Sequence, residues 1–176
     1  MLPPVSGTGS SMTVLRLTTI INSSTKAVPA GYNKRMNCDP KNFSNKPYVK
    51  RIEKPWGYEV HWAPEGKPYL GKLLHIKANA RLSLQIHDQK QESWFLISGR
   101  AKVVWDNSKG ELIESELQKG LGYSCLIGQR HRLCGITDCD IIEVSTPETG
   151  TTWRLEDDYK RPDETPPQRK KERGEI

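Results

Sequence analysis

The sequence predicts an all-β fold, a sandwich or closed barrel of many short strands. From residue 47 to about 147, short runs alternate apolar and polar residues with period two. They are rich in β-branched and aromatic side chains, as half-buried strands are. Turn-forming Gly, Pro and Asn separate the runs, and no amphipathic helix lies among them. Closure is favoured because it removes exposed sheet edges.

Strands are expected at 58–62, 69–76, 81–87, 93–98, 101–105, 112–116, 124–127, 131–136 and 140–145. Turns are expected at Pro64-Glu65-Gly66, Lys77-Ala78-Asn79, Ser98-Gly99-Arg100 and 106–110. Residues 1–46 are rich in Ser, Thr, Gly, Pro and Asn and hold no acidic residue before Asp39. Three readings fit them: a mostly disordered arm, an upstream start that adds non-native residues, or a transit segment. Within them, 13–21 has the pattern of a pairing strand. The last stretch, 162–176, is charged and Pro-containing and reads as a disordered tail. The folded domain is therefore placed at 47–161.

A chain of 176 residues suits one domain with a real core, and its 35% hydrophobic content agrees with unstructured ends. No run approaches the roughly 18 apolar residues that span a bilayer. The net charge of +6 is dispersed and lacks an aromatic-basic platform. Neither membrane nor nucleic acid is therefore expected as a partner. The four cysteines, Cys38, Cys125, Cys134 and Cys139, form no C-x-x-C pair and read as reduced thiols of a cytoplasmic protein. Five tryptophans invite a sugar-stacking role, but packing is the commoner use of an indole.

The stretch from Arg81 to His87 is the most informative. As a strand it places Leu82, Leu84 and Ile86 on one face and Arg81, Ser83, Gln85 and His87 on the other. Glu92 follows His87 by five positions, ahead of an apolar run, and His131 follows a Gly-containing turn. Two imidazoles and a carboxylate can bind Zn²⁺, Mn²⁺, Co²⁺ or Fe²⁺ and leave positions open, and Gln85 can add a neutral oxygen.

At this spacing the chain resembles the cupins. Gln85, His87, Glu92 and Gly99 fall on the first cupin motif, with Gln where its first His is usual. Gly120, Leu126, Gly128 and His131 fall on the second, with Leu126 in place of Pro. The Ser83-Leu84-Gln85-x-His87 string resembles type II phosphomannose isomerases. So do Pro55-Trp56-Gly57, His131-Arg132-Leu133 and Glu156-Asp157-Asp158-Tyr159. The similarity runs from about Val49 to Arg161. Lys90 stands where that family usually has Arg, and Ser93 where it often has His. A point charge thus replaces a guanidinium fork.

The resemblance implies a single cupin barrel, that is, a double-stranded β-helix or jelly roll. It implies a divalent metal (Zn, Co, Mn, Mg or Fe) on Gln85, His87, Glu92 and His131. It implies an isomerase interconverting mannose 6-phosphate and fructose 6-phosphate, or a related sugar phosphate. Glu143, among apolar neighbours, is the candidate base, or else an outward solvated side chain. Arg81 is the leading phosphate candidate, with Lys72, Lys90 and Arg132 behind it. A guanylyltransferase activity is not expected. Two other readings remain: a non-catalytic metal-bound cupin that binds a sugar or a carbohydrate-pathway partner, and Fe²⁺-dependent oxygenation at His87, Glu92 and His131. Cupins often pair through an edge strand, so a homodimer through 13–21 is a further expectation.

Overall fold

The computed structural model describes residues 46–176, which form one compact unit. The expected arm, its 13–21 strand and Cys38 lie outside the described residues, Lys46 apart.

Eleven strands follow one another: β1 (Lys50–Lys54), β2 (Gly57–His61), β3 (Leu70–Ile76), β4 (Leu84–His87), β5 (Glu92–Ser98), β6 (Ala101–Asp106), β7 (Leu112–Glu116), β8 (Gly122–Cys125), β9 (His131–Gly135), β10 (Cys139–Ser145) and β11 (Thr152–Glu156). They build a six-stranded sheet, β1-β2-β3-β10-β5-β8, and a five-stranded sheet, β11-β4-β9-β6-β7. Every named pairing is antiparallel. This is the expected all-β architecture, with strands β1 and β11 added. Period-two reading missed both: β1 carries charge at four of five positions, and β11 leaves the barrel's edge half exposed.

Alternation places Trp94 and Leu96 of β5, Leu74 and Ile76 of β3, Ile141 of β10, Val103 of β6 and Leu133 of β9 inside, where they pack with Trp56. Two glycines fix tight points. At Gly57 a Cβ would stand 1.9 Å from the His75 carbonyl oxygen, so only glycine fits between Trp56 and Tyr58. Gly99, at φ 72, turns β5 into β6, where a Cβ would lie 2.0 Å from the Asp138 carbonyl oxygen.

The inward rows change character midway. Across β3 and β10, Cys139 faces Ile76 and Ile141 faces Leu74, but Glu143 faces Lys72. Across β10 and β5, Ile141 faces Leu96 while Ser145 faces Glu92. On β9, Leu133 packs in the core and His131 lies one inward position away. One end of the barrel is therefore apolar and the other is a buried cup of ionisable groups.

The stretch 162–176 departs from the expected disordered tail. It carries α1 (Pro166–Glu172), capped by Thr165, whose side chain accepts from the Gln168 amide. Pro stands in its first turn, and Arg169, Lys170 and Lys171 complement the dipole in its last. Composition suggested disorder, but tertiary ion pairs hold the segment. Arg154 pairs with Glu164 and Glu172, and Arg173 with Glu148.

Candidate metal and substrate site

His87, Glu92 and His131 come from three strands, and their ligating atoms all lie within 4.8 Å of one another. His131 Nε2 is 3.0 Å from Glu92 Oε1, and His87 Nε2 is 3.5 Å from Glu92 Oε2. The Gln85 amide nitrogen lies 3.4 Å from His87 Nε2 and 3.2 Å from His131 Nε2, while Gln85 Oε1 accepts from Ser83 Oγ. A half turn of that amide brings its oxygen among the imidazoles. The four residues expected to share one cation thus converge.

The imidazoles are aimed by their other nitrogens. His131 Nδ1 is 3.0 Å from the Gln129 carbonyl oxygen and 3.0 Å from Cys125 Sγ. His87 Nδ1 is 3.0 Å from Thr152 Oγ1. Both Nε2 atoms are left facing Glu92, which is how outer partners orient metal-binding histidines. Burial, and then the Lys90 charge, push His87 down to about 4, which keeps its imidazole neutral near pH 7. Burial also pushes His131 down, but the Cys125 thiol and Glu92 outweigh it and raise it to about 10. Glu92 is held well below the usual carboxylate range against its burial, by Lys90, His131 and His87. Two nitrogens, a carboxylate and an amide at this spacing fit a divalent cation of the Zn, Mn, Co or Fe type.

Around this group lies a dense set of buried charges. Lys90 Nζ sits 2.5 Å from Glu92 Oε2 and 2.9 Å from Glu143 Oε1. Lys72 Nζ lies 3.8 Å from Glu143, 3.7 Å from Glu59 and 2.6 Å from Glu148. His61 Nε2 contacts Glu59 at 2.9 Å. Burial drives Glu143 above its ordinary value, with Lys72 and Lys90 opposing. Burial lowers both lysines, but carboxylates, Glu143 foremost, more than compensate, so both stay charged. Buried charges are costly for a small barrel unless paired. Their concentration at one end marks a place kept for chemistry.

Glu143, Lys72 and Lys90 therefore join the metal group, and Glu143 is not the outward side chain of the other reading. Arg81 and Arg132 do not join it. The segment before β4 is not a continued strand: Arg81 bridges alone to Cys134, and pairing of β4 resumes only at Leu84. Leu82 and Ser83, adjacent in sequence, both line the inner cavity, so the alternation that linked Arg81 to Gln85 is broken there. Arg81 grips Asp158 through two bonds of 2.6 and 2.7 Å and is half exposed. Arg132, next to the inward His131, lies on the outer face, where it holds Glu156 at 3.1 Å.

Four contributors were missed. Glu59 and His61 alternate inward along β2, and Glu59 follows the Pro55-Trp56-Gly57 string already singled out by two positions, so its signal was present. Glu148 sits in an irregular Pro-Glu-Thr-Gly stretch that carries no periodicity, and Thr152 opens a strand that was not expected. Cys125, Cys134 and Cys139 are free and buried. Among the described residues, no helix is long and apolar enough to cross a membrane.

The profile described as mannose-6-phosphate isomerase C-terminal matches residues 41–164. The alginate biosynthesis protein AlgA of Pseudomonas aeruginosa is 32% identical over 115 residues, covering 62% of this chain and 23% of that protein. The chain thus spans about a quarter of the curated relative's length. Solved structures of oxalate decarboxylase share the fold. One superposes with a TM-score of 0.55 at 18% identity, covering 64% of this chain and 33% of that one. A variant of the Bacillus subtilis enzyme gives 0.54 at 18%, covering 64% and 33%.

Proposed function

The chain belongs to the mannose-6-phosphate isomerase C-terminal family of cupins, and on that premise we propose that it is a metal-dependent isomerase interconverting mannose 6-phosphate and fructose 6-phosphate. The observation that carries this reading is the contiguity of the His87–Glu92–His131 group with a buried, proton-accepting Glu143 flanked by two lysines.

Aldose–ketose interconversion moves one proton from C2 to C1 and another between the two oxygens. Gln85, His87, Glu92 and His131 would hold a divalent cation, which would supply Lewis-acid polarisation of those oxygens. Glu143 takes the carbon-bound proton and returns it to the neighbouring carbon. Its burial-raised basicity suits a base that must gain and lose a proton near neutral pH. Lys90, between Glu92 and Glu143, keeps the two carboxylates from repelling each other and holds Glu143 in place. Lys72, on the other side of Glu143, is the cation available to the phosphate end. The lining of tryptophan, leucine and paired charges limits water at the reacting carbons.

The test is a coupled isomerase assay on metal-free protein, reloaded singly with Zn²⁺, Co²⁺, Mn²⁺ and Mg²⁺. Turnover of mannose 6-phosphate with at least one metal is expected. No turnover with any of them, together with a thermal shift on adding the sugar phosphate, would replace the enzyme by a binding module.

A further inference from the structure

We propose that helix α1 and Glu148 form a displaceable lid over the cup, in which the Glu148 carboxylate occupies the seat of the substrate phosphate. This inference rests on the sugar-phosphate reading of the site. The cavity inside the cup measures ≈40 Å³. Small-molecule sites run to about 300 Å³ or more. The described arrangement therefore has no room for a sugar phosphate beside the metal group.

What fills the space is an internal anion. Glu148 Oε1 sits 2.6 Å from Lys72 Nζ and 3.7 Å from Lys90 Nζ, on the two cations nearest the catalytic group. Its other oxygen pairs with Arg173, at the C-cap of α1, and lies 3.8 Å from Arg169. The charged side chains that α1 sends inward grip residues lining the cavity. Arg169 holds Glu164 at 2.9 Å and the Glu148 carbonyl oxygen at 2.6 Å. Glu172 holds Arg154 at 2.9 Å and Lys54 at 3.4 Å. The helix has seven residues, too few to persist without those contacts. Release of Glu148 thus strips Lys72 of its nearest carboxylate, at 2.6 Å, and the same movement breaks the Arg173 tie at the end of α1. A phosphate dianion seated on Lys72 displaces the Glu148 carboxylate, and with it the Arg173 tie that closes the end of α1 over the cup.

The experiment uses the full chain, as wild type and as Arg173→Ala, which removes one end of the strap and touches no proposed catalytic group. Binding of mannose 6-phosphate is measured by calorimetry, and protection of the 166–173 amides by hydrogen exchange. Two results are expected. The wild-type α1 amides lose protection as the sugar phosphate saturates. The variant binds about tenfold tighter, since a fractionally open site weakens apparent affinity in proportion. Weaker binding by Arg173→Ala overturns the lid, because Arg173 then acts as a phosphate clamp. Unchanged α1 protection in the saturated wild type overturns it without recourse to any variant. Failure of both folded chains to bind mannose 6-phosphate sinks the sugar-phosphate reading itself, a result distinct from equal binding by both, which sinks the lid alone.

Discussion

Replacing Glu143 by glutamine removes the proposed base and its charge, while the side chain keeps its volume. What is lost is the pairing of its Oε1 with Lys90 Nζ at 2.9 Å and, more distantly, with Lys72 Nζ at 3.8 Å. Lys90 retains Glu92 at 2.5 Å, and Lys72 retains Glu148 at 2.6 Å, so neither cation is left stranded. The melting temperature should stay within about 5 °C of wild type. The metal ligands are untouched, so metal content should be unchanged. A neutral amide cannot accept the carbon-bound proton, and a positioned base contributes about 10²–10⁴-fold. That range corresponds to a barrier roughly 3–5.5 kcal/mol higher. A coupled assay at saturating mannose 6-phosphate measures kcat directly, beside elemental analysis and a thermal melt on the same sample. A kcat within threefold of wild type, at equal metal content, would refute Glu143 as the base.

His131→Ala should abolish stoichiometric metal while its far-UV circular dichroism overlays that of wild type, and full metal occupancy in that variant removes the ligand assignment. Arg81→Ala should leave KM for mannose 6-phosphate within twofold, since Arg81 grips Asp158 outside the barrel; a large rise in KM would return it to the site. Docking of α1 should weaken in acid. Burial pushes Glu172 up, but its bond and charge contact with Arg154 outweigh that and hold it at about 2, below the ordinary 4.5. A depressed carboxylate contributes stability that is complete above the unfolded value and disappears as pH falls from about 4.5 through 2. Hydrogen exchange of the α1 amides across that window should show the loss, and Glu172→Gln should flatten it.

Much of this architecture is legible in the chain because the signals are local. Glu92, Trp94 and Leu96 alternate with Ser93, Phe95 and Ile97, so β5 and its inward face follow from period two alone. The resemblance to the cupin motifs singled out Gln85, His87, Glu92 and His131 together, and the fold brings them to one place. The departures arise where local pattern meets tertiary context. Arg81 shares a parity with Gln85, but the chain bends at Leu82-Ser83 and parity stops counting. The sequence after Pro162 has the composition of a tail. Its order comes from Arg154 and Glu148, which lie outside the stretch and meet it only through the fold. Glu148 was unreadable for a similar reason: a carboxylate in an irregular loop gains meaning only from Lys72, 76 residues earlier in the chain.

The switch from greasy to charged side chains halfway along the inward rows has a bearing on how the strands find their partners. Inside-outside alternation fixes pairing only modulo two residues, since a slip of two keeps every side chain on its own face. In this barrel a slip of two between β3 and β10 in one direction would set Lys72 against Ile141 and strand its ammonium among hydrocarbon, and in the other direction it would set Glu143 against Leu74. An unpaired buried charge costs several kcal/mol. The buried ionisable groups of the cup therefore also serve as alignment marks during folding, and neutralising several of them together should produce chains that collapse readily but settle on no single pairing.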